Sequence, residues 1–404
     1  MIQHVEVLII GAGPAGATAG LNIAPFRRVM LVDLVTEPVR KIGECLLPAV
    51  GRLISDMGLW ERFREIEPLP WYANRSIWGS AIASESDFLS DPGGHGWHID
   101  RARFDDFLRK SAVHRGAVVV APARLLSLSW EGTRFVAKLQ SRFGDFLVYA
   151  DFLIDAGGRS SPAAVRLGAK RNADAPLFCS SMYGRDRNPR AGAGITFIEA
   201  VENGWWYTAP VPGNLRVLAF HTDSDVHAAR RIRSSQRLLR ESEGTLELLR
   251  VLKDTGFEAE ERCYEHGARG SLLNPCGGPG WLAAGDAALS FDPLSSQGLF
   301  TAMFLGLAAA EAAHSYLEGD HSAVRDYANT IGRIRDAYCR GLRETYRQEQ
   351  RWPASWFWRR RHAAAAQRKP VAAHLRANAV TPGSPNLHVG SLGLASKVFA
   401  VEQG

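Results

Sequence analysis

The chain has 404 residues, and its 48 Lys and Arg side chains exceed its 42 Asp and Glu side chains by six, a balance typical of an ordinary solvated surface that gives no reason to expect a nucleic-acid partner. Five cysteines scattered without CxxC spacing predict reduced thiols in a cytoplasmic setting, with neither a disulfide framework nor a metal site. No uncharged apolar stretch reaches the ~18 residues of a membrane span, and the first predicted strand begins too early to leave room for a signal segment.

The chain opens with a strand, a glycine turn and a helix. Residues 4–10 read HVEVLII, an apolar run that predicts a buried parallel strand; residues 11–16 read GAGPAG, and residues 17–24 carry a helical Ala/Leu pattern. A second apolar strand over residues 29–32 ends in Asp33, where a carboxylate accepts hydrogen bonds from the ribose of a dinucleotide. This combination predicts a dinucleotide site, with a tight turn that binds nothing as the alternative.

The small residues of this first turn are predicted to serve the cofactor in different ways. Gly11 allows a tight turn, Gly13 lets a pyrophosphate approach the main chain, and Gly16 lets the helix pack against the strand. Ala15 lies at the start of the same helix, where free N–H groups attract negative charge.

A second glycine turn follows at residues 40–48, which read RKIGECLLP. Gly43 permits a close backbone pass along the cofactor and Arg40 can face phosphate, while a surface loop leading into a helix is an equally good interpretation. Further along, Asp100 is the predicted N-cap of a helix, and Arg101 at the start of that helix is either a phosphate ligand or a surface residue.

Strand patterns dominate the middle of the chain. Residues 71–97 and 178–220 are rich in aromatic residues and turn signals, and they predict strands of a substrate domain. Residues 116–160 predict a return to the parallel sheet through a β-meander that ends in an acid and two glycines. Residues 205–207 read WWY, so their side chains alternate between the core and a pocket, and residues 235–252 predict one helix.

The last third contains another strand, loop and helix. Residues 281–288 predict a strand that runs into Asp286. Pro293 stiffens the following loop, and Gly298, with Leu299 beside it, lets the start of a long helix approach a flat ring. The free N–H groups at that helix start stabilise negative charge that develops on the ring, which indicates a site for a reducible heterocycle.

The C-terminal part is predicted to be helical. Residues 322–349 form a long helical pattern, and residues 351–361 form a basic and aromatic cluster. The cluster either binds an acidic partner or is a solvated helix end with Trp residues packed beneath it. The tail carries turn signals at residues 381–385.

Taken together, four of these segments resemble the FAD-containing monooxygenases of the aromatic-hydroxylase type and, more closely, their flavin-dependent halogenase branch. The resemblance spans roughly residues 1–320 and rests on GAGPAG with Asp33, residues 43–48, residues 155–158 (DAGG) and residues 285–298. It implies an α/β fold: a Rossmann-like FAD-binding domain of the glutathione-reductase type (residues 1–70, 98–175 and 275–320), an inserted β-sheet substrate domain (71–97 and 176–274) and a helical C-terminal region (321–404). The expected FAD contacts are Gly11, Gly13, Ala15, Gly16, Asp33, Arg40, Gly43, Arg101, Asp286, Pro293, Gly298 and Leu299.

Two departures from the halogenases affect the expected activity. Tryptophan halogenases carry a lysine after the strap that handles hypohalous acid, whereas residues 72–78 contain none, and their WxWxIP signature appears here only as WWYTAP at residues 205–210. The segments NRSIWGS (74–80) and GHGWHIDR (94–101) resemble those of halogenase-like flavoproteins that mature quinone cofactors by oxygenating a tryptophan in a partner polypeptide.

The resemblance therefore implies oxygen transfer from dioxygen to a tryptophan ring in a partner polypeptide. Electrons come from NAD(P)H that docks transiently or from a separate flavin reductase, since the chain has one dinucleotide fingerprint. His98, Glu44 and His95 are the candidate acid–base residues, although a lone histidine is more often structural. The alternatives are a small-molecule aromatic hydroxylase or halogenase and a flavin-bearing chaperone without turnover; the aromatic middle of the chain disfavours a geranylgeranyl-reductase-like enzyme.

Overall fold

The computed structural model describes residues 2–225, 232 and 234–367. The predicted turns at residues 381–385, and the rest of the tail, lie outside the described residues. The strands are β1 (Ile2–Ile10), β2 (Val29–Val32), β3 (Cys45–Leu46), β4 (Leu69–Trp71), β5 (Ala73–Ile77), β6 (Ser84–Asp87), β7 (Gly96–His98), β8 (Val118–Val120), β9 (Ala123–Glu131), β10 (Arg134–Ser141), β11 (Gly144–Asp155), β12 (Lys170–Ala173), β13 (Phe178–Asp186), β14 (Ile195–Val201), β15 (Gly204–Val211), β16 (Leu215–Thr222), β17 (Phe257–Gly267), β18 (Ser271–Asn274), β19 (Gly277–Gly278), β20 (Trp281–Ala283) and β21 (Leu289–Ser290). The helices are α1 (Pro14–Ile23), α2 (Ala49–Asp56), α3 (Trp60–Arg64), α4 (Arg101–His114), α5 (Pro162–Arg166), α6 (Ser235–Ser242), α7 (Glu247–Thr255), α8 (Gly298–Leu317), α9 (Ala323–Gln348) and α10 (Trp356–Gln367).

The largest sheet brings the ends of several parallel strands to one edge. Its main path runs β19-β20-β11-β1-β2-β8, and the β9–β10 meander is attached to β11. The last four residues of β1 and all of β2 are buried, as in a parallel sheet that is covered on both faces. Ile10 lies opposite both Val32 and Asp155, and Asp155 lies opposite Ala283. The carboxyl ends of four strands therefore meet, which is where open α/β sheets bind ligands.

A second sheet of seven strands, ordered β17-β13-β16-β15-β14-β5-β6, is mostly antiparallel. The three consecutive aromatic residues of β15 are all buried. Trp205 and Tyr207 face one side of the sheet, whereas Trp206 packs on the other side with Leu238 of α6 and Leu248 of α7. These two helices replace the single helix predicted over residues 235–252, because the chain turns between them at residues 243–246. The mixed arrangement of parallel sheet, second sheet and helices confirms the predicted α/β fold.

The C-terminal helix α10 packs against the second sheet. Trp358 of α10 is fully buried and donates its indole N–H to the Val201 carbonyl oxygen at 3.0 Å. Arg360 and Arg361 form ion pairs with Asp223 at 2.8 Å each. Within the described residues, the part of the cluster from Trp356 onward thus lies in α10, with Trp358 packed beneath it and Trp356 exposed. None of the described helices is both long enough and apolar enough to cross a membrane.

Candidate active site

A cavity of about 1250 Å³ lies between the carboxyl edge of the large sheet and the second sheet. One wall includes Gly11 and Gly157 at the ends of β1 and β11, and the opposite wall includes Cys179, Trp205 and His221 from β13, β15 and β16. This volume exceeds the ~300–1,000 Å³ of ordinary small-molecule sites. The cavity is large enough for a dinucleotide and a second molecule.

The glycines of the first turn divide into two groups. A Cβ at Gly11, where φ is +102°, would lie 2.3 Å from the Ala156 carbonyl oxygen, and a Cβ at Gly16 would lie 1.9 Å from the Gly11 carbonyl oxygen. These two glycines allow the backbone segments to touch. Gly13 and Ala15 line the cavity, and a Cβ at Gly13 would meet no atom within 4 Å. Gly13 therefore keeps open the space above the start of α1, where N–H groups attract phosphate.

Asp33 lines the cavity and also holds the glycine turn. Its Oδ2 accepts a hydrogen bond from the Ala12 N–H at 2.6 Å and lies 3.3 Å from Nη2 of Arg109. Arg109 is buried and donates to the carbonyl oxygens of Val35 and Thr36 at 2.9 and 3.0 Å. Arg109 could not be predicted from local sequence patterns, because its partners lie more than 70 residues earlier in the chain.

The segment at residues 40–48 crosses the cavity at Gly43, where φ is +104°. Arg101 lines the cavity and donates to the Gly43 carbonyl oxygen at 3.2 Å, while its guanidinium also binds Asp105. Lys41 approaches the same carboxylate at 2.6 Å. Burial alone would raise the pKa of Asp105, but Arg101 and Lys41 outweigh it and the pKa is lowered. Arg101 therefore holds the segment in place from the edge of the cavity.

Arg40 does not take the predicted position beside phosphate. Its guanidinium donates to the Glu260 carboxylate at 3.0 Å and lies over the ring of Tyr183, 5.1 Å from the ring centroid. The residue lies away from the cavity lining. An ion pair with a strand 220 residues away directs this side chain, so the prediction for Arg40 is corrected.

A second backbone approach comes from the end of β11. The buried Asp155 accepts hydrogen bonds from the N–H groups of Gly157, Ala163 and Ala164 at 2.9, 2.8 and 2.8 Å, and so it shapes the turn that follows. Arg159 and Asp286 line the cavity nearby and form an ion pair at 3.3 Å. The predicted residue Asp286 is thus at the cavity, with a cationic partner that sequence reasoning missed.

The loop before α8 is held from beneath by the C-terminal region. Asp292 accepts hydrogen bonds from the Leu294 N–H at 3.0 Å and from the Tyr346 hydroxyl at 2.8 Å. Burial raises the pKa of this carboxyl. Pro293, Gly298 and Leu299 all line the cavity, and a Cβ at Gly298 would meet no atom within 4 Å. The start of the 20-residue helix α8 is therefore open toward the cavity.

The three candidate acid–base residues lie in different environments. Glu44 lines the cavity, its Oε2 accepts the Gly43 N–H at 2.7 Å, and its Oε1 accepts the Tyr207 hydroxyl. Burial raises the pKa of Glu44, against the opposing effect of these hydrogen bonds.

The two candidate histidines, His95 and His98, lie outside the cavity lining. His98 is fully buried behind Glu44, and burial lowers its pKa to about 3. His95 lies in a turn, where its Nδ1 is 2.7 Å from the Gly96 carbonyl oxygen and its ring contacts Tyr72 and Trp97. Their predicted direct role is corrected, because packing and local hydrogen bonds hold both imidazoles away from the cavity.

Sequence reasoning also missed a stacked pair in the opposite wall. Trp205 and His221 lie face to face, with ring centroids 3.7 Å apart and an angle of 8° between the rings. Strand periodicity placed an aromatic residue of the WWY segment at a pocket, but it did not indicate that His221 of the neighbouring strand would lie against it.

The residues of this cavity fit FAD. Gly13 and Gly298 leave open space at the starts of two helices, one suited to a pyrophosphate and the other to a ring that becomes negatively charged on reduction. Gly43 and Arg101 line the wall between them. Among the described residues, no group of three or more His, Cys, Asp or Glu side chains is arranged to hold a metal ion.

Comparison with known proteins agrees with this geometry. The chain is 29% identical over 377 residues to LodB of Marinomonas mediterranea, named as an FAD-dependent oxidoreductase, covering 90% of this chain and 99% of LodB. The fold matches the flavin-dependent halogenase CmlS with a TM-score of 0.79 and 25% identity, over 89% of this chain and 68% of CmlS. It also matches the peptidyl tryptophan dihydroxylase QhpG with a TM-score of 0.69 and 22% identity, over 89% of this chain and 78% of QhpG, a likeness that shows the fold.

The model of the FAD binding domain family matches residues 4–241, which is more than half of the chain. The chain thus belongs to the FAD binding domain family and is an FAD-dependent oxidoreductase of the flavin monooxygenase and halogenase type.

Proposed function

We propose that this enzyme hydroxylates the ring of a tryptophan in a partner polypeptide, as a step in forming a tryptophylquinone cofactor. One observation favours hydroxylation over halogenation. Among the described residues that line the cavity, one is a lysine, Lys41. Its ammonium lies 2.6 Å from the Asp105 carboxylate. An ammonium paired in this way does not offer the free lysine to which the resemblance assigns the handling of hypohalous acid.

A polypeptide substrate is supported by the size of the cavity and by the segment at residues 94–101 beside it. About 1250 Å³ is more than a small aromatic molecule requires beside a cofactor. The segment at residues 94–101, part of the resemblance to quinone-maturing flavoproteins, forms β7 and the start of α4, and His98 pairs with Cys45 next to Glu44. QhpG, whose fold this chain shares, is named for dihydroxylating a peptidyl tryptophan in tryptophylquinone cofactor biogenesis.

The residues of the chain bind and orient the reactants. When bound, reduced FAD supplies the two electrons with which dioxygen gives one oxygen atom to the ring and one to water. Glu44 is a carboxyl group of the cavity lining that can accept the ring proton, and Trp205 and Tyr207 also line the cavity with aromatic surface that excludes water. The electrons come from NAD(P)H that docks transiently or from a separate flavin reductase. We place the reaction in the cytoplasm, the setting that the scattered cysteines predict.

A small-molecule hydroxylase or halogenase is the second candidate, favoured by the TM-score of 0.79 with CmlS. To separate the two proposals, the FAD-loaded protein is incubated with a reductant, oxygen and a tryptophan-containing polypeptide, with and without bromide. The mass of the product is then measured by mass spectrometry. A matched polypeptide with Phe in place of Trp is the control.

Our proposal predicts that oxygen is added to the tryptophan at the same rate with and without bromide. Bromine in the product, or faster conversion of free tryptophan than of the polypeptide, contradicts it. Bound flavin with no modified product from either substrate supports a chaperone without turnover.

A further inference from the structure

Five buried side chains form a continuous line of contacts from the cavity wall into the protein. Tyr207 donates its hydroxyl proton to Glu44, and the Tyr207 oxygen lies 3.2 Å from the sulfur of Cys45. That sulfur lies 3.6 Å from Oγ1 of Thr196, which in turn lies 2.8 Å from Nε2 of His98. Each of these five residues is buried. Glu44, Cys45 and Tyr207 line the cavity, whereas Thr196 and His98 lie behind them.

The far end of this line indicates the direction of its hydrogen bonds. Burial, and secondarily the charge of Arg216, keeps His98 neutral, so the imidazole carries one N–H. Its Nδ1 is buried without a partner, whereas Nε2 faces Thr196. A buried N–H without an acceptor is rarer than a bare acceptor, which places the proton on Nε2. Thr196 then donates to Cys45, Cys45 donates to Tyr207, and every donor points toward Glu44.

We propose that His98 is the fixed origin of this hydrogen-bond chain and a positioning residue, and that Glu44 at its other end accepts the proton that the aromatic carbon loses on hydroxylation. In this step the C–H bond of the ring breaks, its electron pair restores the aromatic ring, and the proton passes to a Glu44 oxygen. The oxygen atom comes from dioxygen and the electrons come from the reductant. The assignment of Glu44 as the proton acceptor rests on the proposed hydroxylation, whereas the hydrogen-bond chain from His98 to Glu44 does not.

The surroundings of Glu44 act on its pKa in opposing directions, and burial has the larger effect. Burial raises its pKa, and the donors Tyr207 and Gly43 and the nearby Arg101 act in the opposite direction. A base whose pKa lies near the working pH is the most effective. The titratable or charged groups that act on this carboxyl or on its chain are Arg101 of α4, Cys45 of β3, His98 of β7, Cys179 and Tyr183 of β13, Tyr207 of β15 and Arg216 of β16.

The first test measures the titration of Glu44 without turnover. Infrared difference spectra of the FAD-loaded protein give the protonation midpoint of the carboxyl group, and E44Q identifies its band. Y207F removes the donor, and loss of a charge-assisted hydrogen bond raises the midpoint by about 1 to 2 pH units. Y327F is the matched control, because Tyr327 is a buried tyrosine outside the chain whose hydroxyl donates to the Ala283 carbonyl oxygen, and it leaves the midpoint in place. An unmoved midpoint in Y207F overturns the proposal.

The second test uses two substitutions of one residue and does not depend on Y207F folding. In H98Q the amide N–H takes the place of Nε2, whereas in H98N the amide takes the place of Nδ1. We expect H98Q to keep the midpoint of Glu44 near its original value and H98N to raise it. If His98 is itself the catalytic acid or base, both variants lose hydroxylation alike while the Glu44 midpoint stays unchanged, and our inference fails.

The pH dependence of hydroxylation separates this inference from the proposed function. Y207F is expected to move the acid limb of the rate profile to higher pH by the same amount as the titration midpoint. If the midpoints move as expected but no oxygenated tryptophan forms, the hydroxylation is rejected and the hydrogen-bond chain is retained. If oxygenated tryptophan forms while Y207F keeps the original profile and midpoint, the chain is rejected and the hydroxylation is retained.

Discussion

Replacing Gly13 by Ala is expected to weaken FAD binding with little effect on the fold. Gly13 is the N-cap of α1, and its φ of −75° and ψ of −170° are allowed for any residue. The added Cβ meets no protein atom within 4 Å. Exchanging Gly for Ala at an N-cap changes the free energy of unfolding by about 1 kcal/mol or less. The stability of the apoprotein is therefore nearly unchanged.

The added methyl group occupies cavity space in front of the helix N–H groups, where the pyrophosphate is expected. Loss of one charge-assisted hydrogen bond, worth about 1.5–3 kcal/mol, raises the Kd for FAD about 10- to 100-fold. Titrating the apoprotein with FAD and following flavin fluorescence measures this change, and thermal unfolding of the apoprotein measures stability.

Gly16→Ala is the matched control, since its Cβ would lie 1.9 Å from a backbone oxygen. This control is expected to lower stability by about 1–3 kcal/mol. An unchanged Kd in the Gly13 variant, or a loss of stability equal to that of the Gly16 variant, would refute the placement of the pyrophosphate.

Three further changes test other parts of the structure. His98 and His221 are held neutral by burial with pKa values of about 3, so the stability they contribute above pH ~6.5 is lost as the pH falls toward 3. Between pH 7 and 4, the denaturant midpoint should therefore fall less steeply for His221→Phe than for the unmodified protein. An identical slope for the two proteins contradicts this. Tyr346→Phe removes the 2.8 Å hydrogen bond to the buried Asp292 and should lower the free energy of unfolding by about 1–3 kcal/mol in urea titrations; a loss below 0.5 kcal/mol contradicts it. Arg109→Met leaves the Asp33 carboxylate at the cavity without its cation. The substitution should lower the free energy of unfolding by about 3–5 kcal/mol and reduce the amount of FAD retained on gel filtration. Full retention of FAD argues against a role of Arg109 in holding the cofactor site.

Features that depend on neighbouring residues could be predicted from the sequence. The glycine turn, the buried strands around it and the helix that starts at Gly298 follow from local periodicity and backbone freedom. The Asp100 side chain caps α4 by accepting hydrogen bonds from the N–H groups of Ala102 and Arg103, as its position predicted. Cavity-facing backbone was therefore recognisable without any knowledge of tertiary contacts.

Side chains whose partners are distant in the sequence could not be predicted. Arg40 binds Glu260, 220 residues away, and Tyr207 binds Glu44, 163 residues away. Strand register decides which of these long polar side chains meet, and the register is fixed by packing of the whole sheet. The role of His98 was misplaced for the same reason, because only the folded chain shows that it lies behind the cavity wall.

The most direct test is to supply the purified protein with FAD, a reductant, a tryptophan-containing partner polypeptide and dioxygen labelled with oxygen-18. Mass spectrometry of the polypeptide is expected to show one or two labelled oxygen atoms on the tryptophan ring, and their loss when the reductant is omitted. A polypeptide that remains unlabelled, although the protein binds FAD and consumes oxygen, would contradict tryptophan hydroxylation as the function of this enzyme.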